Sequence, residues 1–341
     1  MALYAMAEEH AILGVCFHGI QKLYKERPEY CIDLPIKFKM QWLGMATKIQ
    51  ERNRLMNERC VELQKLLAQD GFRTFIMKGQ GNSGLYPSEL SLLRQSGDID
   101  IYLNGGYDKV LEYVNETFPT NEVSRMEIQY HCFQDTTVEI HYRPFLMLNP
   151  YSNKKLQKFF ALEVENCFVN KIALPDDVGE VSIPTLAFNL VHQMVHIYHH
   201  LFTEGIGLRQ LCDYYFLLQI ANSKSSECVK CSKVVIADLG LDRFASALMH
   251  ALHVTFGLTA DKMLWEPDLG DGKFLLNEIM QMGNFGRLDK RQRGIYSSHW
   301  KSFWSVHFKT FRYWRFDHFA WFWSPIMRIK GFLWRKINGY R

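Results

Sequence analysis

The stretch GDIDIYL at residues 97–103 decides the fold. Polar and apolar residues alternate there with period two, the pattern of a β-strand. Asp98 and Asp100 fall on one face, Ile99 and Ile101 on the other. Two carboxylates side by side on one strand face repel each other, unless a divalent cation sits between them. Mg²⁺ takes oxygen ligands and keeps waters and substrate phosphates in its shell. A third acid stands in TVEIH at 137–141, where Glu139 shares a face with Thr137 and His141. If that strand lies beside 98–103, Glu139 joins the aspartate pair. Three carboxylates hold two metals ~3.5–4 Å apart in phosphoryl-transfer sites.

Upstream, TFIM at 74–77 reads as a short strand, followed by Lys78, Gly79 and a Gly/Asn/Ser segment that opens a helix-compatible piece over 81–93. Backbone N–H groups at a helix start attract anions. Gly79, Gly81 and Ser83 allow close approach of a triphosphate, Lys78 adds a positive charge, and Arg94 suits a bidentate phosphate contact. Downstream, 107–117 reads as a helix, and 125–133 and 136–142 as two strands joined by a turn at Gln134–Asp135.

Around this unit the periodicity is helical. Trp42, Met45, Ile49, Met56, Leu63 and Leu67 recur at helical spacing in the N-terminal stretch, and Gly71 ends it. Helices are expected at 185–203, 207–222, 226–239, 241–256 and 273–282; residues 146–183 are left unassigned. The expected architecture is α+β: a small mixed β-sheet core at 71–183, flanked by N-terminal helices (1–70) and a large C-terminal helical region (184–290), with a basic aromatic tail at 291–341.

Composition sets the bounds. With 341 residues, 48% of them hydrophobic, the chain has room for roughly two domains and can bury a real core, which excludes disorder as its main state. Eight cysteines are scattered rather than dense, and Cys228 and Cys231 form a single CxxC; a structural zinc needs four ligands, so two plain thiols at a helix start are the simpler reading. Glu8, Glu9 and His10 interrupt any signal-peptide pattern, and no run of ~18 apolar residues occurs, so a cytoplasmic location is expected. The net charge of +4 is an average: residues 291–341 carry eleven Lys/Arg and one acid, Asp317, whereas 1–290 carry 29 bases and 35 acids.

The order of parts resembles the DNA polymerase beta-like nucleotidyltransferase superfamily. More narrowly it is similar to the bacterial uncharacterised nucleotidyltransferase family associated with surface polysaccharide gene clusters. The matching stretches are MKGQGNSGLYP (77–87), LRQSGDIDIYL (93–103), TVEIHYRP (137–144), HHLFTEGIGLRQLCDYY (199–215) and GNFG (283–286). The resemblance implies that Asp98, Asp100 and Glu139 are the catalytic, metal-binding triad. It implies that Lys78, Gly79, Ser83 and Arg94 line the nucleotide phosphates. The implied reaction moves a nucleoside monophosphate from an NTP to an acceptor hydroxyl, with two Mg²⁺ ions (or Mn²⁺). A sugar in polysaccharide biosynthesis is the expected acceptor. Two alternatives stand beside it: a catalytically inactive nucleotide-binding regulator, and a transferase that modifies a protein, nucleic acid or antibiotic.

Further substrate contacts are expected from His141, His200 and Arg209. His192, His196, His199 and His200 cluster on one helical face. HQMVH lacks the glutamate of a zinc protease HExxH, so these rings either line a crevice or pack in the core. Arg209 and Asp213 form an i,i+4 pair: either an intrahelical ion pair, or Arg209 faces a triphosphate or anionic acceptor. In the tail, Trp300, Phe303, Trp304, Phe308, Phe311 and Trp314 share a helical face beside Lys301, Lys309, Arg312 and Arg315. That fits peripheral contact with the inner membrane face through 300–336, or packing on the chain's own domain with the bases outward. No recognised nucleic-acid motif accompanies it, so nucleic acid is not the expected partner.

Overall fold

The period-two stretch forms the centre of a four-stranded mixed sheet. The computed structural model describes residues 2–30, 34–289, 303–304, 307–308 and 310–340. Strand β2 (Ile99–Leu103) pairs antiparallel with β1 (Thr74–Met77) and parallel with β4 (Val138–His141); β3 (Glu127–Gln129) lies antiparallel on β4. The order is β1-β2-β4-β3. The register sets Asp100 opposite Glu139 on the parallel partner and opposite Met77 on the antiparallel one.

The two sheet faces are buried differently. The apolar side chains Ile76, Ile99, Ile101, Leu103, Ile128, Val138 and Ile140 form one core with Met56, Cys60, Leu63 and Leu67 of helix α3 (Ile36–Gln69), and with Val110 and Val114 of helix α6 (Gly106–Thr117). That occupies one face with α3 and α6 and turns the alternate residues of β2 and β4 the other way. On that second face Phe75 packs on Phe168 of α7 (Pro150–Val169) and Phe188 of α8 (Leu186–Thr203). Asp100 and Glu139 therefore look towards the helical half.

That half continues with α9 (Leu208–Lys224), α10 (Ser226–Asp238), α11 (Asp242–Phe256) and α12 (Leu269–Met282). Helices α1 (Ala2–Glu9) and α2 (Leu13–Glu26) pack against it at the N-terminal side. The last described element is α13 (His318–Asn338), capped at its start by the Asp317 side chain, which accepts from Ala320 N at 2.8 Å.

Three expectations need correction. The single helix over 81–93 is two short helices, α4 (Lys78–Ser83) and α5 (Ser88–Ser91), because Pro87 cannot continue the first and forces Tyr86 out of helical geometry. The strand expected at 125–133 spans only Glu127–Gln129. The 273–282 helix begins four residues earlier, where the Asp268 side chain caps Asp271 N at 2.6 Å. The unassigned stretch 146–183 holds α7 and a hairpin of β5 (Lys171–Ala173) and β6 (Glu180–Ser182). In the tail, Trp300, Lys301 and Lys309 lie outside the described residues. Cys228 and Cys231 are free thiols on α10. No helix among the described residues is long and apolar enough to cross a membrane.

Candidate active site

A cavity of about 360 Å³ opens between the acidic sheet face and helices α8 and α9. Its lining brings Lys78, Gly79, Asp98, Asp100 and Glu139 from the sheet side together with His196, His199, His200 and Arg209 from the helices. Asp98 immediately precedes β2, Asp100 is its second residue, and Glu139 stands beside it on β4.

Asp100 is the most heavily partnered of the three acids. Its Oδ1 accepts from Lys78 Nζ at 2.6 Å and lies 2.9 Å from His141 Nε2. Burial pushes the Asp100 carboxyl up, but Lys78 and His141 outweigh it and hold it well below the usual carboxylate range. The same pairing raises Lys78 against the pull of burial, and raises His141 through the bond to Asp100 and the Glu127 charge. The other two acids respond in the opposite sense. The Asp100 charge, then burial, raise Asp98. Burial, then Asp100 and Glu127, push Glu139 up to about 7. Gln129 Nε2 donates to Glu139 Oε1 at 2.6 Å and fixes that side chain.

The turn that delivers Lys78 is unusual. Lys78 has φ 44° and Gly79 φ 23°, ψ −111°. A Cβ at Gly79 would sit 3.3 Å from Asp98 O, and one at Gly81 only 2.4 Å from Ile76 O. The two glycines let the chain leave β1 and turn back against the Asp98 segment.

Not every expected residue reaches the cavity. Ser83 is absent from the lining; its hydroxyl donates to Gln80 O at 2.7 Å within α4. His141 is 1% exposed and stands behind Asp100, with its Nδ1 unpartnered. Arg94 touches the cavity, but its Nε and Nη2 donate to the Asp213 carboxylate at 2.7 Å each. The i,i+4 pairing of Arg209 with Asp213 is thereby corrected: Asp213 serves Arg94 and Tyr86, whose OH donates at 2.6 Å. Arg209 instead donates to Gln95 O at 3.0 Å and lies over the Phe285 ring. Burial, and then Arg94, lower its pKa.

The histidine helix forms the opposite wall. His200 Nε2 lies 2.9 Å from His196 Nε2, and His200 Nδ1 lies 3.1 Å from Glu204 Oε2. Burial lowers His192 to about 3 and His199 to about 4, and lowers His196 well below the ordinary range. His192 is fully buried against Phe145 and Phe188, while the other three line the cavity. Of the two readings left open for these rings, the crevice holds for three and the core for one.

Sequence reasoning missed Asn82, Glu127, Gln193 and Glu204, all in the lining. Glu204 stood four residues after His200, and Glu127 and Gln129 share a strand face, so both signals were present. Asn82 and Gln193 had no such signal: Gln193 Nε2 reaches Asn82 Oδ1 at 3.1 Å across 111 positions.

Residues 1–257 match the family described as uncharacterised nucleotidyltransferase, and the chain belongs to that family. The GNFG stretch at 283–286 lies beyond the matched span. Among solved structures, the chain is similar to an antigenic nucleotidyltransferase-like protein from Paracoccidioides brasiliensis, with 11% identity, 53% of this chain and 87% of that one covered, and a TM-score of 0.31. No curated protein matches the sequence.

Proposed function

We infer that this chain transfers a nucleoside monophosphate from an NTP to an acceptor hydroxyl, using Mg²⁺ or, in its place, Mn²⁺. The observation that carries this reading is the convergence of Asp98, Asp100 and Glu139 on one cavity wall. All three offer oxygen, the donor a hard divalent cation prefers. Asp100, Glu139 and His141 each present a ligand atom within 4.8 Å of the others. The upward shifts of Asp98, from the Asp100 charge and burial, and of Glu139, from burial and the neighbouring carboxylates, fit the same reading, since a dication between the acids offsets that repulsion. Asp98, Asp100 and Glu139 would hold the ions. When bound, the metal neutralises triphosphate charge and lowers the pKa of the acceptor hydroxyl.

The chain's own residues do the rest. Lys78 and Arg209 bring fixed positive charge to the two sides of the cavity, where a triphosphate needs it. Gly79 keeps the wall beside Asp98 free of side chain. The acceptor oxygen bonds to the α-phosphorus, the bond to the β-phosphate bridge breaks, and pyrophosphate leaves. The acceptor proton passes to the carboxylate group, to Glu139 or one of the two aspartates. A sugar hydroxyl in surface polysaccharide biosynthesis is the acceptor we favour, on the family resemblance. Three intact acids count against an inactive regulator.

The test screens the four NTPs against candidate sugars and reads pyrophosphate release with and without Mg²⁺. Asp98→Asn and Asp100→Asn should each fall to background with the fold intact. Wild-type turnover in both variants refutes the site.

A further inference from the structure

The tail holds a second surface, apart from the cavity. Helix α13 exposes Phe319, Phe322, Ile326, Ile329, Leu333 and Ile337, each at least 43% accessible. At roughly 100° per residue these six fall within about 80° of arc. Lys330 and Lys336 flank the stripe, one on each side. Ala320 and Ser324, on the opposite face, are buried against the body.

The helix cannot fold this stripe inward, because it is fastened at both ends. At its start, Asp317 accepts from Tyr198 OH of α8 at 2.7 Å. Near its end, Trp334 packs on Tyr107 of α6, 5.9 Å between centroids, and Tyr340 OH lies 2.8 Å from Tyr107 OH. In the middle, Trp321 stacks on His307 at 4.5 Å, and Arg328 donates to Phe303 O at 3.0 Å. Twenty-one residues at about 1.5 Å each give a rod of about 32 Å. Its lysines exclude it as a membrane span, but the rod lies naturally along a surface.

Charge selects the partner. Residues 318–341 carry five Lys/Arg and no acid. A second copy of the chain would bring two such basic tails together, which like charge opposes. A surface that is apolar just below a layer of negative charge satisfies both the stripe and its flanking lysines. We propose that the outer face of α13 docks on an anionic lipid bilayer, with the helix in the plane of the interface. Of the contact expected through 300–336, the proposal takes the stripe at 319–337. This proposal is independent of the chemistry in the cavity.

The experiment is flotation of the full chain with vesicles of phosphatidylcholine alone and of phosphatidylcholine with phosphatidylglycerol. The chain should float with the anionic vesicles and remain behind with the neutral ones, and high salt should weaken binding. Phe322→Ser/Ile326→Ser/Ile329→Ser should reduce binding at least tenfold. Lys330→Glu/Lys336→Glu, which leaves the stripe intact, should do the same for anionic vesicles only. Thermal unfolding and circular dichroism confirm that each variant is folded; if the triple variant is not, the charge-reversal pair decides. No flotation with anionic vesicles overturns the proposal, as does flotation unchanged by either variant. A lipid-free dimer in light scattering that the stripe substitutions dissolve also overturns it, in favour of a second copy.

Discussion

Replacing Asp213 with asparagine should destabilise the chain by about 3–5 kcal/mol. The Asp213 carboxylate accepts from Arg94 Nε, Arg94 Nη2 and Tyr86 OH at 2.6–2.7 Å, and the Arg94 and Asp213 side chains are only 5% and 7% exposed. Burial opposes the charge on Arg94, and Asp213 more than compensates, so its pKa is raised. Asparagine keeps the shape but removes the charge and turns an amide N–H₂ towards a donor. The guanidinium cannot shed its proton and is left buried and uncompensated. Against a typical total of about 5–15 kcal/mol, that is a large fraction. The assay is urea unfolding followed by far-UV circular dichroism at neutral pH, reading the first transition, since a chain of this length unfolds in stages. Arg94→Met/Asp213→Leu removes both charges and should recover most of the loss, giving a large coupling energy in the double-mutant cycle. A loss below about 1 kcal/mol for Asp213→Asn, or a double variant no better than the worse single one, refutes the reasoning. If the double variant is stable and still binds NTP, Arg94 acts by fastening the segment before β2 to α9.

Gly81→Ala should cost about 1–3 kcal/mol, since its Cβ would meet the Ile76 carbonyl of β1, which cannot yield. Gly44→Ala, with nothing within 4 Å in the exposed middle of α3, should instead stabilise by about 0.5–1 kcal/mol; thermal melts that rank the two alike refute both. The neutral histidines predict acid lability. A group depressed on folding contributes stability that is present above its ordinary value of 6.5 and is lost as pH falls through its folded value, about 4 for His199. Glu139, raised on folding, works in the opposite sense over the same range, so the isolating measurement is the difference between wild type and His199→Asn. That difference should fall by on the order of 3 kcal/mol between pH 6.5 and 4. Parallel stability curves for the two proteins sink the prediction.

Much of the sheet was legible because a strand's period is short and its faces differ. Asp98 and Asp100 announced themselves by alternating with isoleucines, and TVEIH did the same for Glu139. Helix ends were less legible: Asp268 began α12 early through a single side-chain bond, and Pro87 divided one expected helix into two. Residues 146–183 resisted because α7 is weakly amphipathic and the following hairpin has only three residues per strand.

The amino-acid sequence by itself determined that two aspartates share a face, that a third acid stands on another strand, and that a histidine-rich helix and a basic, aromatic end lie elsewhere in the chain. Only the tertiary structure decided which of these meet. Parallel pairing of β2 with β4 set Glu139 beside Asp100, and α3, by covering the other sheet face, turned both towards α8. The partner of Asp213 was likewise a tertiary choice: the i,i+4 rule pointed to Arg209, four residues away, but Arg94, 119 positions distant, reaches it bidentately inside the protein. Local periodicity fixes which residues share a face. What each face meets depends on long-range packing, where burial and charge are satisfied together.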